Sequence, residues 1–522
     1  VYLVGAGPGE PGAITLRALE CLAAADVVVH DYLVNPAVLR WATRPGVRLI
    51  SLGGHGENTR VMPQAEVCDL VVSLARQALT VVRLKCGDPM IFARAAEEIE
   101  ALNRAGIPCE IVPGITSALA AGSFAGIPLT HRQHASAIAL VTGHPAADAA
   151  STPAGRDNPP GWAEDDPSAT GPGGSDLDWA ALAQFPGTLV VYMGTTQVER
   201  WAGLLLSAGK DPATPVAIVR RCGFHDQSVQ RTSLGQLIDV VTRPKRIRPP
   251  VVFIIGSAVE AQPQSDWFVR RPLHGQVVLL TRPMGQAGQH CRHLEQLGAQ
   301  VLHWPGIQIL PVADHGPMDA AIERLSDFSW VIFNSVNGVS HFLNRLWELG
   351  RDVRHLSHCR LAAIGEKTAD ALAARSLRCD LIPAKFDADA LADRLLEQSQ
   401  LGACLIVRAS RGRDDLAIRL RAHGGQVTQV VAYQNVDQPA ADPAIQRAME
   451  SGKIDWVTVT SSAIADNLVR CYGPALDRVR LASISPLTSR RLGEHELAVA
   501  AEAEVYTVDG LLDAIVRQVA PQ

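Results

Sequence analysis

The chain has 522 residues, 47% hydrophobic and 19% charged, with a formal net charge of −5. That length exceeds one core and predicts about three or four compact units. The faintly acidic balance excludes a broad nucleic-acid or anionic-membrane surface, no apolar run nears the roughly eighteen residues of a membrane helix, and no basic-then-apolar leader is seen. The ten cysteines form no C-x-x-C pair, which argues against a zinc ribbon or disulfide framework and for a reducing cytoplasm. Only six of the 48 basic residues are lysine. Arginine excess suits bidentate carboxylate recognition, and equally follows from a coding bias.

Short β-branched runs alternate with Ala- and Leu-rich stretches of helical period, which predicts α/β layers. The first strand, residues 1–4, runs into Gly5-Ala6-Gly7-Pro8-Gly9. A dinucleotide turn needs Gly-x-Gly-x-x-Gly, and Glu10 stands where the third glycine belongs. Pro8 also withholds an N–H that a pyrophosphate would use. The turn is thus predicted to set a ligand against bare backbone, the ligand being no dinucleotide.

A helix follows over about 15–25, with Leu16, Leu19 and Leu22 spaced to face a sheet. Further strands are predicted at 27–30, 81–84 and 138–142. Residues 145–178 lose the pattern in a Pro/Gly/Ser/Ala/Asp stretch that reads as a disordered insertion. Strands resume at 188–193, 216–220 and 251–256. After a break at 261–275, a new α/β run opens at Val277 and continues through strands near 330–334, 360–364, 404–408, 427–433, 456–460 and 481–484. Two proteins fused in one chain explain this order.

Open α/β sheets bind ligands beyond their strand ends, and five clusters in the first half sit there: Gly5–Gly9, His30-Asp31-Tyr32, Arg83-Leu84-Lys85-Cys86-Gly87-Asp88-Pro89 with Ile91, Val112-Pro113-Gly114-Ile115-Thr116-Ser117-Ala118, and Tyr192-Met193-Gly194. Each has a plain alternative. Asp31 suits a helix cap, Asp88 a turn, Thr116 or Ser117 an N-cap, Met193 core filling, and His131-Arg132 an exposed loop.

In order and content, these clusters, with Gly126-Ile127-Pro128-Leu129-Thr130-His131-Arg132 and Val141-Thr142-Gly143-His144, resemble the tetrapyrrole methylase family, in particular its uroporphyrinogen-III C-methyltransferases. The resemblance covers residues 1–262 apart from the insertion. It implies a two-lobed α/β fold (lobes about 1–131 and 132–262) with S-adenosylmethionine in the cleft. Pro8, Cys86, Gly87, Asp88, Ile91, Thr116, Ser117, Met193, and Ala217 through Cys222 would line it, Arg132 would meet substrate, and Asp31 would be the base. Methylation at C2 and C7 would give precorrin-2, and the family suggests a homodimer through this half.

The chain also departs from the family. His30-Asp31-Tyr32 replaces Tyr-Asp-Arg, Cys86 replaces the first glycine of Gly-Gly-Asp, and Phe92-Ala93-Arg94-Ala95-Ala96-Glu97-Glu98 replaces a glycine-rich version. Gly54-His55-Gly56 stands where the family has Gly-Lys-Arg, which makes His55 the candidate proton donor, since imidazole titrates near neutrality.

Residues 276–522 show no nucleophile triad, metal spacing or phosphate loop. Their strand-end Ser/Thr turns read either as helix caps or as carboxylate sites at helix N-termini. The order of Leu280-Thr281-Arg282-Pro283, Phe333-Asn334-Ser335, Gly365-Glu366-Lys367-Thr368, Ala432-Tyr433-Gln434, Thr460-Ser461-Ser462 and Ser485-Pro486-Leu487-Thr488 resembles uroporphyrinogen-III synthase. That implies two Rossmann-like lobes, about 276–310 plus 436–522 and 311–435, after a linker at 263–275. Tyr433 would assist hydroxide loss from hydroxymethylbilane, while Thr281, Ser335, Thr368, Ser461, Ser462 and Thr488 would hold its carboxylates. Tyr433 also reads as a packing residue. The whole chain is thus expected to be a cytoplasmic, metal-free, bifunctional enzyme acting on small tetrapyrroles, without nucleic-acid or membrane partners. The alternatives are a methylase for a later corrin precursor, or one non-catalytic half.

Overall fold

The structure, a computed structural model, describes residues 1–53, 62–144, 177–261, 266–385, 387–398, 401–412 and 414–519. His55 and residues 145–176 of the expected insertion lie outside them. The chain forms two compact units, one mainly Val1–Gln276 and one of Val277–Arg292 with Leu302–Gln518.

The first unit holds two sheets. The strands of the first are β1 (Tyr2–Gly5), β2 (Val27–His30), β3 (Arg48–Ser51), β4 (Val81–Lys85) and β5 (Glu110–Val112). They run all parallel in the order β3-β2-β4-β1-β5. Parallel strands covered by helices on both faces read as unbroken apolar runs, and Val27-Val28-Val29 is such a run, fully buried. The chain leaves β1 toward one edge and β4 toward the other, so the adjacent ends of β1 and β4 form a topological switch point. The helix Leu16–Ala24 starts at Thr15, whose side chain accepts the Ala18 N–H. Its buried face is Ala18, Cys21 and Leu22. Leu16, expected to face the sheet, is exposed, because the inward stripe of this helix begins two residues later with the small Ala18, on about the opposite side of the helix.

The second sheet comprises β6 (Ile138–Thr142), β7 (Thr188–Tyr192), β8 (Pro215–Arg220), β9 (Ser228–Ser233) and β10 (Val251–Ile255), ordered β6-β7-β10-β8-β9. It is mixed: β6 and β7 are parallel, and β10 runs antiparallel to both β7 and β8. Trp201 fills one face, fully buried, and its indole N–H donates to Gly194 O at 2.8 Å. Residues 266–275, expected as part of a linker, are packed structure instead. Phe268 is buried and stacks on Phe124 with ring centroids 4.5 Å apart, and Trp267 donates to Ser123 O at 2.9 Å.

The second unit also carries two sheets. Strands β11 (Val277–Leu280) and β12 (Gln300–His303) join the later β18 (Trp456–Val459), β19 (Arg480–Ser483) and β20 (Val499–Glu502) in the order β12-β11-β18-β19-β20. The intervening β13 (Ile307–Pro311), β14 (Trp330–Phe333), β15 (Arg360–Ala363), β16 (Ala403–Ala409) and β17 (Gln426–Asp437) order as β13-β17-β16-β14-β15. All pairs in that sheet are parallel except β13 with β17, which pair antiparallel from Ile307↔Asp437 to Pro311↔Tyr433. The chain thus enters and leaves the inserted sheet through neighbouring strands.

Candidate functional site

The glycine turn after β1 is first a packing device. A Cβ placed on Gly5 would lie 2.6 Å from Gly114 Cα and 2.7 Å from Gly87 O, all backbone. Three strand-end loops therefore meet main chain to main chain. Gly7 and Gly87 exchange hydrogen bonds of 3.2 and 2.8 Å, both with positive φ, which glycine adopts without strain. Pro8 is buried in this junction.

Asp88 holds it from below: its two oxygens accept the N–H groups of Met90 (2.8 Å) and Gly114 (3.0 Å). The plain turn-former reading of Asp88 thus has direct geometric support. Asp31, just past β2, is engaged differently. Its Oδ1 lies 2.5 Å from Arg83 Nη2, and its Oδ2 accepts the Cys86 N–H at 3.3 Å, while 27% of the side chain stays exposed. Cys86 sits beside it, and burial, then the Asp31 charge, push its thiol up to about 12. A raised thiol pKa keeps the neutral form at ordinary pH. Iodoacetamide at about pH 8 is therefore expected to spare Cys86 in the folded protein and to alkylate it after unfolding; mass spectrometry of the peptide checks this.

The second sheet reaches the same place through Tyr192. Its hydroxyl accepts the Ala118 N–H at 3.0 Å and shares a 2.6 Å hydrogen bond with Thr116 Oγ1. Thr116 occupies the N-cap position of the helix Ser117–Phe124, yet its side chain makes no cap bond; Tyr192 satisfies a free helix N–H in its stead. Met193 follows with φ of 51° and half its surface exposed. A positive φ on a non-glycine residue is strain that clusters at functional sites. Met90, Ile115 and Leu119 are exposed as well. Ser117 and Ile91 are half-buried nearby in the chain, whereas Ala217 and Cys222 are buried core residues, with burial pushing the Cys222 thiol up. Arg132 lies exposed in a tight turn closed by His131 and Ala135.

In the second unit, Thr281 is fully buried and donates to Thr458 O at 2.6 Å. Its hydroxyl is used between strands, so Thr281→Val is expected to cost about 1 kcal/mol of stability without changing the KM of a linear tetrapyrrole. Urea unfolding and substrate titration check the two halves of that statement. Ser335 and Ser461 are true caps, accepting from Gly338 N (3.0 Å) and Ile464 N (3.2 Å). Ser462 opens the helix that Ser461 caps. Thr368 and Thr488 are buried in first turns; the cap before Thr488 is Ser485, whose Oγ lies 3.2 Å from Thr488 Oγ1. Tyr433 is 4% exposed, its hydroxyl 2.9 Å from Ser335 Oγ and its ring stacked on His341 at 5.5 Å. Burial, then the neighbouring His315, lower the His341 pKa.

Sequence reasoning gave no role to Arg83, Lys85, Glu98 or Tyr192, although all four lie in motifs it singled out, and it passed over His341. Two cations alternating in Val81-Val82-Arg83-Leu84-Lys85 were the available signal, since a central parallel strand rarely carries charge. Among the described residues, no group of three or more His, Cys, Asp or Glu is placed to hold a metal ion, and no helix is long and apolar enough to cross a membrane.

Residues 1–238 match the family model of tetrapyrrole (corrin/porphyrin) methylases, and residues 290–513 match that of uroporphyrinogen-III synthase HemD. The chain is 34% identical to uroporphyrinogen-III C-methyltransferase of Bacillus subtilis over 379 residues, 72% of this chain and 71% of that protein. It is 28% identical to porphyrin biosynthesis protein HemD of Ruminiclostridium josui over 520 residues, 98% of this chain and 97% of that protein. Siroheme synthase of Sodalis glossinidius is 40% identical over 276 residues, and there the chain spans about half that relative's length, 52%. The chain therefore belongs to the tetrapyrrole methylases, and its second half is a domain of the uroporphyrinogen-III synthase family.

Proposed function

We propose that the protein is bifunctional: its second half cyclises hydroxymethylbilane to uroporphyrinogen III, and its first half methylates that product at C2 and C7 to precorrin-2. The observation that carries this is the pairing of both family matches in one chain, with a relative aligned along 98% of it. The residues present fit S-adenosylmethionine as methyl donor. A Cβ on Gly87 would project toward the Thr116 and Ser117 backbone with nothing nearer than 3.7 Å, so the glycine leaves a space there. Exposed Met90, Ile115, Leu119 and Met193 provide apolar surface for the methylene groups and the adenine of that donor.

When bound, the donor supplies an electrophilic methyl group that an electron-rich pyrrole carbon attacks. The chain's part is to orient the two and to accept the proton that the methylated ring releases. Asp31 is the candidate for that proton, because it combines partial exposure with a fixed carboxylate. In the second half, Tyr433 with Ser335 is the candidate to assist hydroxide loss by hydrogen bonding, and the caps Ser335 and Ser461 are candidates to meet carboxylates. Ten free cysteines support a reducing cytoplasm, and a homodimer through the methylase half belongs to the same reading. The test is methyl transfer from labelled S-adenosylmethionine to uroporphyrinogen III. Two methyl groups per product are expected, and none transferred would overturn the assignment of the first half.

A further inference from the structure

We propose that Glu98 is a positioning residue for methyl transfer, acting through Arg83 to fix the direction of the Asp31 carboxylate. The inference rests on the reading of Asp31 as base. Arg83 points from the middle of β4 and is 3% exposed; Lys85 on the same strand is 2% exposed and Glu98, on the helix Ala95–Arg104, 1%. Glu98 accepts from Arg83 Nε and Nη2, both at 3.2 Å, from Lys85 Nζ at 2.5 Å and from Gln64 Nε2 at 3.1 Å. The Arg83 Nη1 donates to Leu84 O at 3.2 Å. Nη2 has a second N–H besides the one given to Glu98, and this nitrogen lies 2.5 Å from Asp31 Oδ1.

Arg83 and Lys85 balance Asp31 and Glu98, so the network is neutral, and only Asp31 reaches solvent, at 27% exposure. Burying four charges is often no more stabilising than packing apolar side chains in the same space, and Val81, on the same face of β4 as Arg83 and Lys85, is an apolar residue buried beside them. Stability therefore does not account for the network. A guanidinium gripped at two nitrogens by one carboxylate has a single orientation, and that orientation is handed on to Asp31. Neither Glu98 nor Arg83 needs to touch substrate for this.

The experiment measures kcat and KM for methylation of uroporphyrinogen III by the full chain. The variants are Glu98→Gln and the charge-balanced Glu98→Gln/Lys85→Met, each alone and combined with Asp31→Asn. Each Glu98 variant is expected to lower kcat about tenfold through misorientation, with the KM for S-adenosylmethionine unchanged. Added to Asp31→Asn, either is expected to lower kcat less than about twofold further, because the group it positions is already gone. Additive losses on a slow Asp31→Asn enzyme would overturn the positioning role and leave the base intact. Full turnover of Asp31→Asn would remove the base itself. Wild-type kcat in both Glu98 variants, or loss of the folded methylase half in both, would also overturn the proposal, the latter by making the network a folding element.

Discussion

Asp31→Asn is expected to slow methyl transfer by about 100-fold, at the lower end of what a positioned general base contributes, while leaving the methyl donor bound as tightly as before. The substitution is nearly isosteric, and the amide oxygen can still accept the Cys86 N–H that Oδ2 accepts now. What is lost is the basic carboxylate oxygen facing Arg83 Nη2. Arg83 keeps Glu98 as counter-charge, so the buried guanidinium is not stranded and the fold is expected to survive. Single-turnover methylation beside calorimetric titration of S-adenosylmethionine separates chemistry from binding. Unchanged turnover removes Asp31 from the mechanism.

Gly5→Ala is expected to break the junction from which the cleft is built. The added methyl would sit 2.6 Å from Gly114 Cα and 2.7 Å from Gly87 O, and neither backbone atom can rotate away as a side chain would. Overpacking of this kind costs about 1–3 kcal/mol, and more where nothing yields, which for a unit of this size lowers its unfolding midpoint by roughly 2–12 °C. Methyl transfer should fall with it, while cyclisation by the second half persists. Full methyl transfer and an unshifted midpoint would show that the three loops do not pack as described.

The two predictions mark where the sequence was readable. Central strands such as Val27–His30 and Val251–Ile255 announce themselves as largely unbroken apolar runs, because both faces are covered. The edge strands Arg48–Ser51 and Ser228–Ser233 carry polar or exposed residues and have no such signature. The glycines of residues 5–9 were visible, but their reason was not. Gly5 answers to Gly114, more than a hundred positions later, and only tertiary structure brings the two together.

The same distance effect governs the site. Asp31 could be named from its place after a strand, yet its partner Arg83, and the Glu98 that holds Arg83, belong to a different strand and to a helix. Thr281 shows the converse. Its strand-end position reads as a ligand site, but a neighbouring strand claims its hydroxyl through Thr458. Tyr192 lay within a recognised motif in which Met193 drew the attention, and only the 2.6 Å contact with Thr116 reveals that it ties the second sheet to the helix opening at Ser117.

Supplying hydroxymethylbilane and resolving product isomers with and without S-adenosylmethionine tests whether one chain carries two consecutive activities. Uroporphyrinogen III is expected without the methyl donor and its C2, C7-dimethylated product with it. Accumulation of the spontaneous I isomer in the absence of the donor, or of unmethylated III isomer in its presence, would contradict it, the first by a silent second half and the second by a silent first.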